Sequence, residues 1–243
     1  VGLKDFIFGS GRGKSRASKL VKTVIQPYTQ SADRYAAMQS LLDEGSDEAL
    51  VAVFRRFTIT ATKTIEDEEE KGWAYRQLRD RGAAVIPALK TYVLEHDAIA
   101  WALRVLEDVT DADPAAEWDI LDALVAKHPP GYERDPSKKV QFLTHLAEID
   151  DPKVATVLAR YLDDADEGVR YLCVDQLVDI ADPSTARALI DRLCNPKEES
   201  IRLKARILRG LASLGWALGD QAERVRANLV SGYDVAAGKV VER

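Results

Sequence analysis

The sequence predicts an all-α fold, an α-solenoid in which helix pairs stack side by side. Three observations carry that expectation. The stretch Arg170–Leu193, RYLCVDQLVDIADPSTARALIDRL, reads as a helix, a tight break at Ala181-Asp182-Pro183 and a second helix. It aligns without a gap on Arg34–Phe57, RYAAMQSLLDEGSDEALVAVFRRF, sharing Arg34/Arg170, Tyr35/Tyr171, Leu41/Leu177, Asp43/Asp179, Ala52/Ala188 and Arg56/Arg192. Finally, Asp113-Pro114, Asp135-Pro136, Asp151-Pro152 and Asp182-Pro183 punctuate residues 113–183. Aspartate caps orphan backbone N–H groups, and proline loses nothing at a first helical position. An amphipathic helix pair cannot bury its apolar stripe alone, so repeated pairs must lean on one another.

Taken in order, residues 1–26 form a basic N-terminal arm and capping helix, 27–230 the repeat array, and 231–243 a tail or small hairpin cap. Helix is expected from Ser15 to Ile25, where Pro27 forbids continuation. Ser31 is placed to cap the next helix, Gly45 to end it, and Ser46 to cap a third running to Phe57. Thr58–Ile65, TITATKTI, has strand propensity but no second strand to pair with, so it reads as an extended connector. Glu66–Glu70 opens a helix that Gly82 closes, its acids read as a solvated first turn complementing the helix dipole. Further helices are expected at 83–95, delayed or kinked by Pro87, and at 98–109, 114–127, 136–149, 152–163, 166–180, 183–194, 198–213 and 220–230. Ser231–Arg243 reads either as a hairpin capping the last pair or as a tail.

Composition bounds the function. The net charge is −6. Residues 1–26 carry about +5, which leaves about −11 on an acidic body. That balance argues against a dedicated nucleic-acid binder, whose affinity comes largely from neutralising phosphates. Cys173 and Cys194 lie in apolar helical runs and read as buried free thiols, hence a reducing, cytoplasmic setting. His96, His128 and His145 show no ligand spacing, and no metal or cofactor is expected. Phe6–Ser15 invites comparison with a phosphate-binding loop, but its glycines are misspaced and no parallel sheet follows. Val1–Phe8 reads as a docking peptide for a protein groove or an anionic membrane surface, or as a segment folded back on the first repeat.

Successive second helices align too. Leu146 and Ile149 match Leu177 and Ile180, and Val169-Arg170 matches Ile201-Arg202, at offsets of about 31–32. The run Asp166-Glu167-Gly168-Val169-Arg170, with Cys173 in a small-residue slot and Leu177, resembles the consensus of HEAT-type repeats. It is closest to the short bacterial variety also found in phycobilin-lyase-like proteins. Glu199-Ser200-Ile201-Arg202, with Ala205 and Leu208, resembles it again. The resemblance spans 27–230 and implies about six helix pairs whose second helices line a concave face that usually binds another macromolecule.

Periodicity places residues on that face. With Val169, Cys173, Leu177 and Ile180 as a buried stripe, Tyr171, Asp175 and Val178 or Asp179 point away. The matching positions elsewhere are Tyr35, Gln39 and Asp43, then Arg76 and Arg79, Arg104 and Glu107, and Thr144 and Glu148. Tyr35, Trp73, Arg76, Arg79, Trp101, Arg104 and Tyr171 are the candidate partner-binding set, because arginine and aromatic side chains anchor interfaces. Against that, Trp73 and Trp101 also suit packing between repeats. Arg34, Arg170 and Arg202 share one repeat position and are expected to bond a carboxylate of a neighbouring repeat.

The expectation is a scaffold or adaptor with no catalysis of its own and a protein partner. Two rival readings stand beside it. One resembles HEAT-like DNA glycosylases, which need a basic groove with Trp and Asp at a damaged base. The other is a chromophore lyase or its chaperone.

Overall fold

A computed structural model describes residues 11–243, with side chains described from Ser18 onward. The readings of Val1–Phe8, as docking peptide or membrane contact, and of Phe6–Ser15, as phosphate loop, lie outside the described side chains. The described residues form thirteen α-helices and one hairpin, in two compact units divided in sequence between Lys127 and His128.

In the first unit, α1 (Gly11–Ile25), α3 (Asp47–Phe54), α5 (Ile86–Glu95) and α7 (Pro114–Lys127) form one layer. The other layer is α2 (Ser31–Glu44), α4 (Thr64–Arg79) and α6 (Ala100–Thr110), each packed on the next. The second unit repeats the scheme. There α8 (Ser137–Ala147), α10 (Glu167–Ile180) and α12 (Ile201–Leu214) each pack on the next, backed by α9 (Pro152–Arg160) and α11 (Ala186–Leu193), while α13 (Ala222–Arg226) packs on the C-terminal hairpin. The core between the layers is apolar: Met38, Leu41, Phe54, Leu78, Leu89 and Val105 in one unit, Phe142, Leu158, Val169, Leu177, Ile207 and Leu211 in the other.

The local signals that start and stop helices work largely as read. Ser46 accepts from Ala49 N at 3.2 Å, and Gly45 takes the left-handed conformation (φ 68°) that ends α2. The four Asp-Pro aspartates each accept a backbone N–H, at 3.3, 2.9, 2.7 and 2.9 Å in chain order. Residues 59–63 are an irregular connector, and Pro87 lies in the first turn of α5.

Other expectations are corrected. α1 starts at Gly11, not Ser15. Ser31 does not cap α2; Gln30 holds that position without a side-chain bond, and the Ser31 hydroxyl bonds Glu70 instead. Ile180 is 38 % exposed at the end of its helix, while Val174 and Val178 are buried. Asp179, then, is the residue that faces outward, and Val178 packs on Gly210 of α12.

The register of the last repeat also shifts. Ser200 caps α12 by accepting from Leu203 N, as Asp166 caps α10 by accepting from Val169 N. Val169 therefore corresponds to Leu203, and Arg170 to Lys204. Ile201, matched to Val169 by sequence, is 71 % exposed. Two further residues in the Asn195–Glu199 loop displace the simple alignment. Arg202 accordingly stays outside and meets an acid of the preceding repeat there, Glu167 at 3.2 Å, as an exposed pair.

Residues 233–242 form the hairpin reading of the C-terminus. Strands β1 (Tyr233–Ala236) and β2 (Lys239–Glu242) pair antiparallel, with Val235 opposite Val240. Ala237 and Gly238 both have positive φ, the conformation that lets a two-residue turn follow strand twist. Tyr233, Val235 and Val240 are buried against the end of the second unit.

Candidate partner-binding surface

The most charged part of the interior is structural, and it corrects the reading of Glu66–Glu70. Spacing of three puts Asp67 and Glu70 on the inner side of α4, almost wholly buried, with Glu68 and Glu69 outside. Glu70 takes a two-pronged bond from Arg34 (Nε–Oε2 2.6 Å, Nη2–Oε1 3.3 Å) and a further one from Arg56 Nε at 2.8 Å. Arg56 Nη2 reaches Asp67 Oδ1 at 2.5 Å, while Ala61 N and Lys71 Nζ donate to the same carboxylate at 2.7 and 2.6 Å. Burial pushes both carboxyls up. The bonds from Arg34, Ser31 and Arg56 to Glu70, and from Lys71, Ala61 and Arg56 to Asp67, outweigh it and hold both below the ordinary range.

The second unit builds the same device from a different stretch. Arg170 forks onto Glu198 (Nε–Oε2 3.0 Å, Nη2–Oε1 3.3 Å), and Arg192 Nε lies 3.2 Å from Glu198 Oε2. One helix pair earlier, buried Lys139 reaches Asp164 at 2.8 Å and the Gly131 carbonyl at 2.7 Å. Arg34 and Arg170 thus bond an acid of the following repeat as expected, and Lys139, which the sequence does not single out, does the same.

The candidate surface lies on α2, α4 and α6 of the first unit. Trp73 meets Tyr35 edge-on, centroids 5.2 Å apart at 86°. Trp101 stacks on buried Phe57 at 5.6 Å and 8°, which fixes its ring in the wall of the unit. Tyr75 lies 6.0 Å from Trp101, and its hydroxyl donates to Asp108, the first cause of its raised pKa, with burial second. Arg104 then rests on both rings, 4.7 Å from Trp101 and 5.1 Å from Tyr75. Arg79 lies 5.8 Å from Tyr75 and also holds Asp80 at 2.8 Å. Arg76 is exposed on the same helix.

Six of the seven candidate residues therefore sit on adjacent helices of one layer. Tyr171 does not belong with them: it is on α10 of the second unit, with the Arg202 guanidinium 4.4 Å from its ring. Helical spacing already places Tyr75 beside the arginines, whereas Phe57 and Asp108 are not singled out by the sequence. Spacing of three and seven from Trp101 puts Arg104 and Asp108 on one stripe, a signal that could have found Asp108. Nothing in sequence links Phe57 to Trp101.

Two other features hold less chemistry. A cleft in the second unit is lined by Leu162, Asp163, Asp191, Arg192, Asn195 and Arg224, and its charged groups are paired with one another or with Glu198. Cys173 is fully buried, and burial, with Asp164 nearby, pushes its thiol up, the opposite of an activated nucleophile.

Residues 131–212 match the family model for HEAT repeats. Within the second unit, residues 131–212 are HEAT-type repeats. The match covers α8 through most of α12, the same stretch that holds the Lys139 and Arg170 ladder. HEAT repeats commonly mediate protein interactions. No curated protein and no solved structure matches the chain. Among the described residues no helix is long and apolar enough to cross a membrane.

Proposed function

We propose that the chain is a non-catalytic interaction scaffold and that the α2–α4–α6 face of its first unit holds a protein partner. The observation that carries this reading is Arg104 lying on Trp101 and Tyr75 at the surface. Two half-buried rings supply apolar contact area, and a cation held on them loses little freedom when a partner arrives. Tyr35 and Trp73 extend the aromatic strip onto α2. HEAT repeats in the second unit suit the same role, since a stacked array leaves one helix of each pair on a continuous face.

The test is charge reversal. Arg76→Glu with Arg104→Glu should abolish capture of partner proteins from the source lysate while leaving the helical circular dichroism signal intact, both positions being exposed. Capture equal to that of the unaltered protein would remove the reading.

A further inference from the structure

We infer that the partner segment taken by the α4–α6 surface is a short acidic peptide whose carboxylates bind Arg76 and Arg104. This rests on the proposed scaffold reading and adds the chemistry of what is held.

The argument is a contrast between two equivalent layers. On the second unit, the arginines of α12 are already satisfied within the chain. Arg202 lies 3.2 Å from Glu167, Arg206 lies 2.6 Å from Asp175 and 3.6 Å from Asp179, and Arg209 bonds the Tyr233 hydroxyl. On the first unit, neither Arg76 nor Arg104 has a carboxylate partner among the described residues. Asp108, one turn along α6 from Arg104, is engaged by Tyr75. Arg104 is held by rings and not by oxygen, so its N–H donors are left for a ligand. Guanidinium donors are matched best by a carboxylate or phosphate oxygen pair.

Charge around the site selects among anions. Glu68 and Glu69 on α4, Glu107 on α6 and Asp111 just past its end are exposed. A long polyanion such as a nucleic acid would meet these acids on the same two helices and be repelled. A peptide with two or three carboxylates touches the arginines and ends before them, and its apolar or aromatic residues can lie against Trp101 and Tyr75.

The experiment selects from a displayed library of random dodecapeptides on the full protein, with counter-selection on the Arg76→Gln, Arg104→Gln double variant. Selected peptides should be enriched in Asp and Glu. The best of them should bind the unaltered protein at least tenfold more tightly than the double variant, and its Asn/Gln counterpart should not bind. Arg104→Lys should restore part of that loss, since charge returns without the planar fork. Selection without acidic enrichment, or equal binding to the double variant, overturns the inference. So does tighter binding of a twelve-nucleotide single-stranded DNA than of the selected peptide. Were lysate capture lost in the charge-reversal variant while no acidic peptide emerged, the scaffold reading would stand and the acidic partner would be discarded.

Discussion

Arg34 and Glu70 lie 36 positions apart in sequence and meet at 2.6 Å with both side chains buried, α2 reaching across to α4. The same oxygen, Oε2, also accepts from Arg56 Nε, so one acid holds two guanidiniums and ties three helical segments together. A buried charge without its partner is costly, whereas a complete set with all donors satisfied is near neutral.

Replacing Glu70 by Ala should therefore destabilise the protein by about 3–5 kcal/mol, because Arg34 and Arg56 would remain buried without their acid. Replacing all three by apolar residues of similar volume should cost less than the single change. Urea unfolding followed by circular dichroism checks both. The reverse ranking would mean that the cluster is a net source of stability.

Acid should unfold the first unit through the same residues. Glu70 and Asp67 both have folded-state pKa values depressed below 4.5 and 3.8. A carboxyl depressed on folding contributes stability that is present above its unfolded value and lost as pH falls through the folded one. Urea midpoints should hold from pH 7 to about 5 and fall steeply below about 4. Glu70→Gln should lower the midpoint at pH 7 and flatten that acid limb. A limb of unchanged slope in the variant would assign acid sensitivity to other groups.

Gly210 sets how closely α12 approaches α10. A Cβ placed there would lie 2.3 Å from Val178 Cγ2, and valine is stiff about its first side-chain bond. Gly210→Ala should cost about 1–3 kcal/mol through overpacking, despite alanine's better helix propensity. Adding Val178→Ala should recover part of the loss, a non-additivity that thermal unfolding of the single and double variants would read. Additive losses would mean that the two side chains do not compete for that space.

The legible part of the fold is the part written in local chemistry. Ser46, Gly45 and the four Asp-Pro pairs act within three residues of themselves, so their roles follow from the sequence alone. The candidate surface was half legible. Helical spacing put Trp73, Arg76, Arg79, Trp101 and Arg104 on one layer, but Tyr75 between Arg104 and Asp108, and Phe57 beneath Trp101, are contacts between helices.

By itself, the sequence determined that this chain is helical, where most of its helices begin and end, and that its units repeat. Only the packed structure decided that Asp67 and Glu70 leave water to join Arg56, that the last repeat shifts by two residues, and that Tyr171 stands in a different unit from the other candidates. The physical reason is one of range. Caps and turns are satisfied by neighbours a few bonds away, while a charge buried in one helix is settled by whichever acid a different helix brings to it.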